Sequence, residues 1–365
     1  MAADDATVAV GLQALADVLV GRSLTAEART QLQATLLADK RRATAFGITP
    51  QNCGDRLEHR LQLFQATYPL LDRQCCTQFG WAGCPLQPLW QLWLPLAEWL
   101  AERQRSLTHP LIQGILGGQG TGKTTLTALV STLLNHMGHR VCSLSLDDLY
   151  KTYADRQQLQ RHDPRLRWRG PPGTHDIELG IAVLQQLRQS DRMKPIAMPR
   201  FDKSAHGGAG DRTQPELVER ADIVLFEGWF VGVRPIEDAM FEDAAFEQAP
   251  PPIVTAGDRL FARDCNLRLR DYEPLWDYLD ALIVLHPVDY RLSQQWRRQA
   301  EQQMRATGQT GMSDSEIDQF VDYFWRSLHP DLFITPLLHN PCRTDLVIEI
   351  QADHTPGNIY RPESA

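Results

Sequence analysis

Over the first hundred residues, apolar positions recur at helical spacing. Val8, Leu12, Leu15 and Leu19 form one stripe, Leu32, Leu36 and Leu37 a second, and Leu57, Leu61, Leu63 and Phe64 a third. Pro85 and Pro88 interrupt before a last apolar segment, 89–100, which carries Trp90, Trp93 and Trp99. No segment here alternates cleanly and none carries a chemical motif, so residues 1–105 read as an all-helical packing module. Around residues 106–110 the pattern changes. Short unbroken apolar runs now alternate with longer helical stretches, at 111–116, 141–146, 195–198, 223–226, 282–285 and 346–350. Runs of this length suit strands buried on both faces, as a parallel sheet covered by helices requires. Residues 106–365 therefore predict an α/β domain with a doubly wound parallel sheet. Within it, 288–306 and 313–328 read as two polar helices joined by a glycine-containing turn at 307–311, a candidate lid over about 288–328.

Composition narrows the class. Of the 365 residues, 43% are hydrophobic and 22% charged, as in ordinary soluble globular proteins. Lys and Arg number 37 against 45 Asp and Glu, and the net charge of −8 argues against a general nucleic-acid binder. The seven cysteines are irregularly spaced, with no C-x-x-C pair and no zinc-type cluster, and read as reduced thiols. The first ten residues carry Asp4 and Asp5 and lack a basic n-region and an apolar h-region. No apolar run reaches 18 residues, so neither a secretory signal nor a membrane span is expected. The expected setting is the cytoplasm, or an organelle for a mature enzyme.

The strongest chemical signal follows the first apolar run. Gly117, Gly118, Gln119, Gly120, Thr121, Gly122, Lys123 and Thr124 fit G-x-x-x-x-G-K-[ST] at every specified position, and Thr125 extends the stretch into a helix. The glycines let the backbone wrap phosphate oxygens with its N–H groups at a helix N-terminus. Lys123 is placed to reach the β- and γ-phosphates of ATP, and the Thr124 hydroxyl to ligate Mg²⁺. The guanine motif N-K-x-D and the transporter signature L-S-G-G-Q are both absent, which leaves a kinase ahead of a GTPase switch or a transporter.

The acceptor side lies on later strand ends. The second apolar run ends in Ser145-Leu146-Asp147-Asp148-Leu149-Tyr150, where ligands bind in such sheets. Asp147 is assigned as proton acceptor for an attacking hydroxyl, and Asp148 as its structural partner. The strand 223–226 ends at Glu227, assigned to the metal. Arg167 to Asp176 precedes a helix, with Thr174 or Asp176 a candidate N-cap. Residues 199–208 form a loop too charged and glycine-rich for a plain connector. From 151 to 169 six Lys and Arg stand against two Asp, and Arg200, Lys203 and Arg212 add to this excess, which suggests an anionic acceptor.

Taken together, the P-loop, S-L-D-D-L-Y, P-R-F-D-K-S and F-E-G-W segments resemble the phosphoribulokinase, uridine kinase and pantothenate kinase superfamily. R-G-P-P-G-T-H-D at 169–176, R-F-D-K-S-A-H-G-G-A-G-D-R at 200–212 and E-G-W-F-V-G at 227–232 are similar to the D-glycerate 3-kinase family of plants and cyanobacteria. The likeness runs over about 105–351. It implies that ATP and D-glycerate give 3-phosphoglycerate and ADP with Mg²⁺, as in photorespiratory recycling, with Asp147 as base and Glu227 near the metal. It also implies substrate contacts among Arg169, His175, Asp176, Arg200, Asp202, Lys203 and Arg212, and lid arginines among Arg291, Arg297 and Arg298. The alternatives are a kinase for a sugar, nucleoside or pantothenate-like acceptor, or a nucleotide-dependent switch.

Overall fold

The computed structural model describes residues 2–189, 194–242, 249–306 and 312–363, so the expected turn at 307–311 lies outside the described residues. In chain order the strands are β1 (Leu111–Gly117), β2 (Val141–Ser145), β3 (Ile196–Met198), β4 (Phe201–Asp202), β5 (Asp211–Arg212), β6 (Glu216–Val218), β7 (Ile223–Gly228), β8 (Ala281–Pro287), β9 (Leu346–Ile350) and β10 (Pro356–Tyr360). Six of them build one sheet in the order β10-β9-β8-β1-β7-β2. Every pairing in it is parallel except that of the edge strand β10 with β9.

Alternation along the strands divides the sheet's side chains between two cores. Leu111, Ile115, Ile223, Leu225, Ile283 and Leu285 face one layer, while Ile112, Leu116, Val224, Phe226, Leu282 and Val284 face the other. The first layer holds the P-loop helix, Lys123–His136, together with the N-terminal helices Ala26–Ala38, Cys53–Phe79 and Leu94–Arg105. Leu32, Leu57, Phe64 and Leu100 share one continuous core with Leu129, Leu133, Leu111 and Ile223. The first hundred residues thus cover a sheet face and keep no core of their own. The second layer holds Ile177–Arg188, Ala256–Leu269 and Asp314–Ser327.

Polar ties reinforce the first layer. Arg60 donates two hydrogen bonds to Glu98 Oε2, at 3.1 and 2.9 Å, and both side chains are only 3% exposed. Losing one partner of such a buried pair costs about 3–5 kcal/mol, since the other charge is stranded. Thr132 of the P-loop helix bonds Gln74 at 2.8 Å, and Arg103 pairs with Asp345 at 2.7 Å.

Three features depart from the pattern-based expectation. The apolar run 195–198 does not join the parallel sheet. As β3 it pairs antiparallel with β6 in a separate ribbon, because a three-residue strand with Ala197 exposed has only one face to bury. The edge strand β10 gave no apolar run, since Pro356 and Gly357 belong to its sequence and an edge position tolerates both. The basic stretch after Tyr150 contains a helix, Tyr153–His162, capped by Thr152. None of its residues is fully buried, so no apolar stripe marked it. The two helices expected at the lid are present as Leu292–Ala306 and Asp314–Ser327. The second is amphipathic rather than polar throughout, and Ile317, Val321 and Phe324 anchor it in the second core.

Removing residues 1–100 should expose the face carrying Leu111, Ile115, Ile223, Leu225 and Ile283 and give an aggregating or poorly stable product. Size-exclusion chromatography and thermal melting of a 101–365 fragment check this. A soluble fragment with the full-length melting temperature would contradict the shared core.

Candidate active site

The P-loop turns out of β1 at the carboxyl edge of the sheet. Gly120 and Gly122 have φ of +77° and +81°, and a Cβ on Gly120 would stand 2.7 Å from Cβ of Trp296. The helix Leu292–Ala306, which carries Trp296, therefore lies directly against the loop. Lys123 Nζ donates to Gly118 O at 2.9 Å and Thr121 Oγ1 donates to the same carbonyl at 2.9 Å. Burial lowers the Lys123 pKa, opposed by the charges of Glu227 and Asp147. The Thr124 hydroxyl donates to Glu227 Oε1 at 3.4 Å. Glu227 is the penultimate residue of β7, which lies between β1 and β2, and is in register with Ile115 and Ser145.

The two adjacent aspartates have opposite settings. Asp148 accepts the Ser145 N–H at 3.0 Å in a capping box and pairs with Arg200 at 3.1 Å, so its carboxylate is spent on holding the turn. Asp147 points into the cavity and pairs with Lys203 Nζ at 2.6 Å. Burial pushes the Asp147 pKa up, but the Lys203 charge and hydrogen bond, with a hydrogen bond from Tyr150, hold it below the usual carboxylate range. Asp147 is therefore an ionised acceptor at neutral pH.

These groups open into one cavity of about 720 Å³. Of the residues singled out from sequence, Gln119, Gly120, Lys123, Thr124, Asp147, Arg169, Lys203, Glu227 and Arg297 line it. Others stand behind the wall or away from it. Asp176 caps the helix Ile177–Arg188 through Leu179 N–H and pairs with Arg212 at 2.7 Å. Arg212 also donates to the Tyr150 carbonyl at 3.0 Å. His175 is buried against Tyr150, and its Nδ1 meets the Tyr272 hydroxyl at 2.7 Å. Burial lowers the His175 pKa to about 3, so this ring is neutral. Arg200 pairs with Asp148 and Glu216. Asp202 caps Ser204 at the surface. Arg291 pairs with Asp289 and Arg298 with Asp318, outside the cavity lining. Arg297, by contrast, faces the cavity and is tied to the buried Glu301 at 2.5 Å.

Sequence reasoning counted Arg156 in the basic run but missed the rest of the far wall. Tyr153, Arg156, Gln157 and Gln160 line the cavity from the helix Tyr153–His162, and Trp168, Trp229, Phe320 and Phe324 add aromatic surface. The i, i+3, i+4, i+7 spacing of the first four was the available signal, but a polar stripe on a helix ordinarily marks solvent.

No family model matches the chain. It is 31% identical over 342 residues to the chloroplastic D-glycerate 3-kinase of Arabidopsis thaliana, an alignment covering 85% of this chain and 69% of that protein. The chain belongs to the D-glycerate 3-kinase family. An uncharacterized kinase of Schizosaccharomyces pombe is 32% identical over 238 residues, covering 63% of this chain and 83% of that one. The solved D-glycerate 3-kinase of Cryptococcus neoformans superposes with a TM-score of 0.64 at 29% identity, over 75% of this chain and 99% of its own. Family membership makes the chain an ATP-dependent P-loop kinase with a small-molecule substrate, and the fold class expected from the pattern holds.

Three outcomes follow from the paired aspartates and Lys203. Asp147→Asn should lower kcat by about 10²-fold or more at unchanged melting temperature. Asp148→Asn should instead cost about 1 kcal/mol of stability, as the loss of a cap does, with kcat largely kept. The reverse assignment of effects would exchange their roles. Lys203→Met removes what holds the Asp147 pKa down, so burial then raises it. The acid limb of the kcat/KM–pH profile should move to higher pH, and an unmoved limb would separate Lys203 from the base.

Proposed function

We propose that this chain transfers the γ-phosphate of ATP to the terminal hydroxyl of D-glycerate, giving 3-phosphoglycerate and ADP. The carrying observation is that a complete P-loop and the ionised Asp147 open into one cavity, in a member of the D-glycerate 3-kinase family. In this reading the loop amides of 117–124 and Lys123 hold the triphosphate. Asp147 receives the hydroxyl proton as the oxygen attacks in line, and Lys203 fixes the carboxylate's position. Arg297 swings from Glu301 toward the phosphates, while Arg169 faces the substrate carboxylate. Arg200, Asp176, Arg212 and His175 act behind the wall by fixing the Asp148 turn and Tyr150.

Thr124 and Glu227 offer two hard oxygen donors 3.4 Å apart beside the phosphate loop, a set that suits Mg²⁺ with its remaining positions filled by water and phosphate. When bound, Mg²⁺ neutralises charge on the β- and γ-phosphoryl oxygens. Salvage of photorespiratory glycerate, in the cytoplasm or an organelle, is the setting this reading favours. No described helix is long and apolar enough to cross a membrane.

Coupled measurement of ADP release tests the reading. D-glycerate should stimulate ADP formation strongly, glycerol and uridine should not, and Lys123→Ala should abolish turnover with an unchanged circular dichroism spectrum. Equal rates with glycerol or uridine would defeat the assignment.

A further inference from the structure

We infer that Arg156 and Arg169 together form the subsite for the acceptor's carboxylate, and that Arg156 sets the preference for an acid over its neutral analogue. This deepens the glycerate kinase reading and rests on it. Helix Tyr153–His162 turns Arg156 into the cavity, and Arg169 enters from the loop after 163. The two guanidiniums converge on one backbone oxygen. Arg156 Nη1 donates to Ala209 O at 2.8 Å and Arg169 Nη1 to the same oxygen at 3.1 Å. Arg169 also donates to Gly208 O at 2.7 Å, and Arg156 to Gly210 O and to Lys151 O. Both lie over the Phe201 ring, at 5.3 and 5.6 Å from its centroid.

Neither arginine has an ion-pair partner among the described residues. Most neighbouring arginines have one: Arg165 and Arg268 on Asp163, Arg200 on Asp148, Arg212 on Asp176 and Arg297 on Glu301, while Arg167, also in the cavity wall, lies over the Trp168 and Tyr323 rings and away from the Ala209 carbonyl that the pair shares. Asp211 is the acid nearest in effect to Arg156, but it accepts the Tyr153 and Arg212 N–H groups and pairs with His206. Two like charges in the wall of a concave site, satisfied only by carbonyls, create a potential that an incoming anion relieves. Fixed, planar donors of this kind match a carboxylate better than a flexible ammonium does.

Tyr150 relates the pair to the chemistry. Arg169 stands 5.9 Å from the centroid of its ring, and the Tyr150 hydroxyl bonds Asp147. The cationic end and the proton acceptor are thus separated by one tyrosine ring. An acceptor that spans them carries an anion at one end and a reacting hydroxyl at the other, as a short hydroxy acid does.

The test compares wild type, Arg156→Gln, Arg156→Lys and Arg169→Gln on D-glycerate, its neutral amide and glycerol, by ADP release. Titration calorimetry of D-glycerate with ADP present is run alongside, with KM for ATP and melting temperature as controls. Arg156→Gln should raise KM for glycerate by about 30-fold or more and collapse the acid-over-amide preference, with KM for ATP nearly unchanged. Arg156→Lys should recover part of that preference. Turnover of glycerate by wild type with undiminished acid preference in both glutamine variants would overturn the subsite and leave the function. Equal loss of ATP affinity and melting temperature in the variants would reduce the arginines to loop supports and also overturn it. Binding without turnover in wild type, lost in Arg156→Gln, would uphold the subsite and sink the kinase reading. No binding in wild type would end both.

Discussion

Parallel pairing of β1 between β7 and β8 is the constraint on which the rest of the site depends. Strands that run the same way end at the same edge, so the turn after β1, Glu227 at the end of β7 and Asp147 just beyond β2 emerge side by side. The register sets Glu227 level with Ile115 and Ser145, which brings its carboxylate to Thr124. Such a sheet must be covered on both faces. That need accounts for the N-terminal helices, whose apolar stripes supply part of one layer, and for the anchoring of Asp314–Ser327 in the other.

Charge at the catalytic end of the site is balanced. Lys123 and Lys203 stand opposite Asp147 and Glu227, and Asp147 keeps its proton off because Lys203 outweighs the effect of burial. Across the cavity, Arg156 and Arg169 hold positive charge against carbonyls alone. An acidic protein thus carries a local basic wall, and net charge by itself does not describe the site.

The loop between β4 and β5 links the two halves. Lys203 leaves β4 toward Asp147, and the carbonyls of 208–210 hold the arginines. Gly210 has φ +75°, and a Cβ there would collide with the Phe201 ring. Only glycine closes this hairpin tightly enough to bring its carbonyls under both guanidiniums. The loop read as too charged and glycine-rich for a plain connector thus supplies both the lysine on Asp147 and the carbonyls under the arginines.

The sequence by itself determined the P-loop, the parallel strands that feed the site and the turn after β2 that carries Asp147 and Asp148. These rest on short segments whose geometry is local: a glycine turn into a helix, an apolar run, a capping box within four residues. Tertiary structure decided which cations face the cavity. Six basic residues between 151 and 169 look alike in one dimension. Arg165 turns outward to Asp163 and Asp264, whereas Arg156 meets Ala209, 53 residues away, at the cavity wall. Arg200 and Arg212 matched the expected pattern, but nearby carboxylates hold them behind the wall. Pairing between distant charges is set by how elements pack, and no local spacing encodes it.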